Sequence, residues 1–140
     1  MKTSKHLLIS FVFAFFQIGL SLGNNMEECC AHEMCRTANG IARTAYCFKL
    51  SSQKDIDIYM ELFQHVYPNA TTIEDVIVSI CKDIKKGKEA FYYYYYEKEK
   101  MNIVYTPEES MKIVDCRACL TLMITECQLK KAMGFFSFKG

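Results

Sequence analysis

The feature that most constrains this chain is its cysteine set. Cys29, Cys30, Cys35, Cys47, Cys81, Cys116, Cys119 and Cys127 make eight, with none before residue 29. An even set reads as a disulfide framework if the chain enters an oxidising compartment, and as metal-binding or catalytic chemistry if it stays in a reducing one. The amino terminus decides between the two. Lys2 and Lys5 precede an apolar run from Leu7 to Leu20, and Ser21-Leu22-Gly23 has the small residues of a cleavage site, so residues 1–23 read as a secretory signal peptide. As a membrane anchor the run is short for a bilayer about 30 Å thick, and Gln17 interrupts it. The expected mature chain is therefore residues 24–140, a single secreted, extracellular domain without a transmembrane anchor, and all eight cysteines are expected to be disulfide-bonded.

Two further features fit that route. The sequon Asn69-Ala70-Thr71 follows Pro68 in a turn-like setting, so Asn69 is expected to be glycosylated. The 17 basic and 16 acidic side chains nearly balance, and residues 1–23 hold two of the lysines and no acid. No net field would draw such a chain to nucleic acid or to anionic lipid, and Lys82, Lys85, Lys86 and Lys88 read as a solvated helix end.

Hydrophobic periodicity predicts an all-α fold, a disulfide-stapled bundle of about four helices. The first helix spans about Met26 to Phe48, where Cys35, Ala38, Ala42 and Tyr46 would share a face, with Gly40 as a weak point. The second, about Asp55 to Tyr67, carries Ile56, Tyr59, Met60, Phe63 and Tyr67 on one stripe and stops before Pro68. The third starts at Thr72, with Asp75 placed to complete a capping box. Its apolar face runs from Ile73 through Val76, Ile77 and Ile80 to Ile84, and Lys85-Lys86-Gly87 looks like its end. The fourth opens at Thr106-Pro107-Glu108-Glu109, a cap followed by a first-turn proline and acids, and its inward stripe is Ile113, Cys116, Leu120, Met123 and Cys127.

The segment EAFYYYYYEKEKMNIVY, residues 89–105, admits two readings. If the third helix continues through Gly87, Phe91, Tyr94 and Tyr95 extend its apolar face while Tyr93 and Tyr96 point to water. The alternative is a short hairpin near 90–105, because aromatic runs favour strands. Its turn would be Glu97 to Lys100, which lacks the Gly, Asn or Asp of tight hairpins, so helix is the preferred reading.

The stretch ECCAHEMC, residues 28–35, resembles the active-site helix of secreted calcium-dependent phospholipases, a resemblance that implies a catalytic His32. It departs from that pattern at three points. One residue, not two, separates Cys30 from His32, Glu33 stands in place of Asp, and no glycine-rich calcium loop precedes it. On a helix the missing residue turns the histidine by about 100° relative to the cysteine pair. A zinc site or a redox centre at Cys116-Arg117-Ala118-Cys119 conflicts with oxidation along the secretory route, and no strand precedes the motif. His32 and His65 read as structural or surface residues. No metal, no cofactor and no enzymatic activity are expected.

Bridge connectivity can be anticipated from helix lengths. Cys35 to Cys47 and Cys116 to Cys127 span about 18 and 16.5 Å at 1.5 Å per residue. Antiparallel first and fourth helices would then be joined by Cys35–Cys127 and Cys47–Cys116, leaving Cys29, Cys30, Cys81 and Cys119 to tie down the amino terminus and third helix. Such a scaffold leads to the expectation of a secreted, non-enzymatic binding protein, an effector, toxin or cytokine-like molecule whose partner is an extracellular receptor or channel. The alternative is a carrier of lipid or of a small hydrophobic ligand. NATTIEDVIVSICKDI, residues 69–84, resembles the middle of saposin-like proteins, in which a glycosylated Asn precedes an amphipathic helix with a similarly placed Cys, and that resemblance implies lipid interaction. The next half-cystine of that family would fall within Tyr92 to Tyr96, where this chain has none.

Overall fold

The computed structural model describes residues 25–137, and the side chains of 26–134. The expected signal peptide, residues 1–23, lies outside the described residues. Within them every element is helical and no strand forms. The elements are α1 (Asn25–Ala31), a π-helical turn (His32–Arg36), α2 (Gly40–Lys49), α3 (Gln53–Val66), α4 (Ile73–Lys82), α5 (Ile84–Lys100) and α6 (Pro107–Ser137).

The predicted first helix is broken. After the π turn, Thr37 is extended at φ −93° and ψ 153°, and α2 restarts at Gly40. The chain folds so tightly over itself that a methyl group on Gly40 would overlap the carbonyl oxygens of Glu33 and Met34. The break rotates α2, which buries Thr44, Ala45 and Cys47 and leaves Ala38, Ala42 and Tyr46, expected inward, exposed.

Other boundaries follow the punctuation. Ser52 caps α3, accepting from the Asp55 amide at 3.2 Å. Thr72 caps α4 and Asp75 returns the bond, completing the predicted capping box at 3.1 and 3.2 Å. At the end of α4 the expectation fails by a few residues: Asp83, at φ −147°, ends the helix and its carboxylate caps α5 at Lys86 N. Gly87 then lies inside α5, where a Cβ would come 2.6 Å from Ile80 Cγ2. Its role is close packing of α5 on α4, not termination. The turn also carries Ile84 outward, off the face of α4.

The tyrosine run is helical, so the hairpin alternative is not formed. Tyr94 is buried and Phe91 partly so, as expected, but Tyr93 packs half-buried beside His65 while Tyr95 is exposed. Chain reversal occurs just after the helix, at Asn102, whose φ of 49° is the left-handed conformation that asparagine tolerates.

The core lies between α3, α4 and α5, with α2 closing one side. Phe63, Val76 and Ile77 are completely buried there, and the Phe63 ring packs tilted against Tyr59 at 4.3 Å and meets Phe91 edge-on at 5.2 Å. Helix α6 runs across this unit, packing mainly on α1, α2 and the π turn. Among its described side chains, residues 107–134, it buries only Cys116, Met123 and Cys127. The fold is thus a disulfide-stapled helical bundle in which one long helix lies over a compact layer.

Three bridges hold it: Cys29–Cys127, Cys35–Cys81 and Cys47–Cys119, with Cα separations of 5.5, 5.4 and 5.4 Å. The expected pairs Cys35–Cys127 and Cys47–Cys116 are not formed. Because the first helix breaks at residues 37–39, Cys35 leaves the line of α2 and faces α4. On α6, Cys116 lies three residues before Cys119, about 60° around the helix, and turns away from α2. Cys30 and Cys116, expected to be bridged, are free thiols. Cys29 Cα is 5.5 Å from Cys127 Cα. Cys30 is one 3.8 Å step away, and Cys116 lies about 16.5 Å along α6 from Cys127, so the two free cysteines stay at least about 7 Å apart at Cα. That exceeds the reach of a disulfide without backbone movement.

Candidate functional site

Helix α6 is apolar on two faces. Its inner face carries Cys116, Met123 and Cys127; its outer face carries Met111, Val114, Leu122, Leu129 and Met133, each 56 to 69 % exposed. The outer residues recur at an eleven-residue interval, Met111, Leu122 and Met133, with Ala118 and Leu129 repeating it between them. Eleven residues make three turns at 100° per residue with about 20° left over, so the row stays nearly parallel to the helix axis. Five large apolar side chains within about 100° of one helix's circumference are more than scattered single exposures, and groups of this kind mark contact surfaces.

Where the row passes α2 it opens into a groove of about 410 Å³. Ala42 and Tyr46 form one wall, Leu122 and Met123 the other, with the Cys47–Cys119 bridge between the helices. Arg43 closes it electrostatically, donating to Glu126 at 3.2 Å and to the buried Glu33 at 3.4 Å. Tyr46 stands 64 % exposed on the rim. The face is rigid for a covalent reason: bridges at Cys119 and Cys127 pin α6 to α2 and α1.

The residues singled out from sequence fall elsewhere. Asn69 is exposed in the turn Tyr67 to Ala70, and the sequon's Thr71 hydroxyl donates to Asp75 at 2.9 Å. His32 is exposed on the π turn, and His65 stands on α3 with its ring 6.0 Å from that of Tyr93. The Cys116-Cys119 pair is divided, since Cys119 is bonded to Cys47. Among the described residues no three His, Cys, Asp or Glu side chains gather as a metal site, and no helix is long and apolar enough to cross a membrane. The lysines form no common patch: Lys88 pairs with Glu27 at 2.8 Å, while Lys86 lies over the Tyr67 ring.

The outer row of α6 is not announced by amphipathic contrast, because a second apolar stripe, the one holding the cysteines, lies opposite it. Its signal was present in the eleven-residue recurrence of Met111, Leu122 and Met133. No protein-family model, no curated protein and no solved structure matches this chain.

Proposed function

We propose that this chain is a secreted, non-enzymatic binding protein that engages an extracellular protein partner through the outer face of α6 and the groove between α2 and α6. The observation that carries this reading is the row Met111, Val114, Leu122, Leu129 and Met133, exposed on a helix held at two points by disulfides. A preorganised apolar face loses little conformational entropy on docking, which favours affinity. Tyr46 and Arg43 supply the aromatic and guanidinium groups that concentrate binding energy at interfaces. Three disulfides support an extracellular setting.

Fluorescently labelled protein titrated onto intact cells of candidate target tissue, with unlabelled protein as competitor, tests the proposal. Saturable binding that falls at least tenfold in the Leu122→Glu, Leu129→Glu double variant supports it. Equal binding of the variant refutes this face as the docking surface. Uptake by protein-free phosphatidylcholine vesicles, lost in the same variant, would identify the partner as lipid and favour the carrier alternative instead.

A further inference from the structure

The outer row of α6 is laid out symmetrically about its own midpoint. Leu122 lies eleven residues from Met111 and eleven from Met133, and this recurrence keeps the three within about 40° of one line along the helix. A second α6 running antiparallel, related by a two-fold axis at Leu122, would set Met111 against Met133 at each end and Leu122 against itself in the middle. One row then serves as both faces of an isologous contact.

The charges beside the row favour that arrangement. Glu108, Lys112, Asp115 and Lys130 are exposed and have no ion-pair partner among the described residues. At 100° per residue they lie about 40° to 100° from Met111, all on the side where Glu126 meets Arg43. In the antiparallel pair this flank of one copy adjoins the same flank of the other, and Lys130 stands opposite Val114 of the second copy, one residue from its Asp115. Each end of the seam then gathers Glu108, Lys112 and Asp115 of one copy with Lys130 of the other, two charges of each sign. In a parallel pair Asp115 and Lys130 stay at different levels, about 22 Å apart along the axis, and do not meet.

We infer that, away from a target, the outer face of α6 is covered by a second copy of this chain in a reversible antiparallel homodimer centred on Leu122. The size of the face sets the strength of the pairing. From Met111 to Met133 the row is about 33 Å long, and a strip roughly 10 Å wide buries about 700 Å² over both copies, well under the roughly 1,200 Å² at which stable specific pairs begin. The dimer therefore forms when the protein is concentrated and parts on dilution, which frees the row. This pairing uses the same face as the proposed function but does not require that a target exist; it names what occupies the face beforehand.

Sedimentation velocity of the disulfide-bonded protein from micromolar to millimolar concentration tests the inference. The average mass should rise from one chain toward two. Leu122→Glu, which sets two carboxylates at the axis, should remain monomeric throughout with an unchanged circular dichroism spectrum. Asp115→Lys and Lys130→Glu should each weaken pairing at least threefold, and the two together should restore it to within twofold of the parent, because the exchanged charges meet again across the axis. The inference is overturned if the parent sediments as a monomer at millimolar concentration, if Leu122→Glu pairs as well as the parent, or if the double exchange is no better than either single one. A monomeric parent taken up by phosphatidylcholine vesicles would assign the face to lipid and also overturn it. Cell binding separates the two readings of this face. Saturable, Leu122-dependent binding by a chain that never pairs refutes the homodimer alone, whereas a chain that pairs as expected but binds no cell refutes target recognition alone.

Discussion

Asp55 stays charged although it is largely buried, and the balance of forces on it sets the acid sensitivity of the fold. Burial opposes its ionisation, but hydrogen bonds from Lys98, Tyr105 and Ser51, with the Lys98 charge, outweigh that and hold its carboxyl below the usual range. Because the folded pKa lies below the unfolded value of about 3.9, its contribution is complete above that pH and is lost as pH falls through the folded value. Asp55→Asn should cost about 2 to 4 kcal/mol at neutral pH and flatten the acid limb of stability, read from urea midpoints against pH. The same residue raises the thiol of Cys116, which burial first and the Asp55 charge second push to about 11. A thiol so rarely ionised is a poor nucleophile, and this protects the Cys47–Cys119 bridge one turn away from exchange. At pH 8, native protein should therefore alkylate slowly at Cys116 and quickly once unfolded, as followed by iodoacetamide labelling and mass spectrometry. Fast native labelling would contradict the burial. None of this network could be read from sequence, since Asp55, Lys98 and Tyr105 meet only after two chain reversals.

Element boundaries were legible where a local chemical reason ends or starts a helix. Thr72 with Asp75, Thr106 before Pro107, and Pro68 after α3 all act as their spacing implied, because capping is decided within four residues. The misreadings at Gly40 and Gly87 share one cause. Both glycines are there for a close approach between segments, and no local pattern announces such an approach. Gly40→Ala would drive a methyl group into the carbonyls of Glu33 and Met34, so it should destabilise by about 3 kcal/mol or more, measured by thermal or urea unfolding. Gly87→Ala meets the side chain of Ile80 as well as its backbone, and should cost less, because the Ile80 methyl can move. A Gly40→Ala protein as stable as the parent would show that the chain crossing after the π turn is not as drawn. Helix α6 posed a different difficulty. Two apolar stripes on one helix cancel the amphipathic contrast by which an inward face is recognised, so the cysteines mark the inward stripe and nothing in the pattern marks the outward one.

At the scale of the whole molecule, the bridges do unequal jobs although their entropic worth is nearly equal. Loops of 98, 72 and 46 residues would contribute about 4.7, 4.4 and 4.0 kcal/mol by chain entropy alone, differences too small to rank them. Their positions rank them instead. Cys35–Cys81 ties the π turn to α4 and so lies within the layer that contains Phe63, Val76 and Ile77. Cys29–Cys127 and Cys47–Cys119 join α6 to α1 and α2, and the described part of α6 has little buried apolar surface of its own to hold it there once they are cut. Replacing Cys35 and Cys81 together with alanine should lower global stability, moving the unfolding midpoint of every helix alike. Replacing Cys29, Cys127, Cys47 and Cys119 should instead release α6 while the layer of α3, α4 and α5 remains folded. Amide hydrogen exchange distinguishes these outcomes: in the second variant, protection should fall first across residues 107–134 and persist at Phe63, Val76 and Ile77. Loss of protection everywhere at once would mean that α6 is integral to the core, and the picture of a long helix clipped across a self-sufficient layer would have to be abandoned.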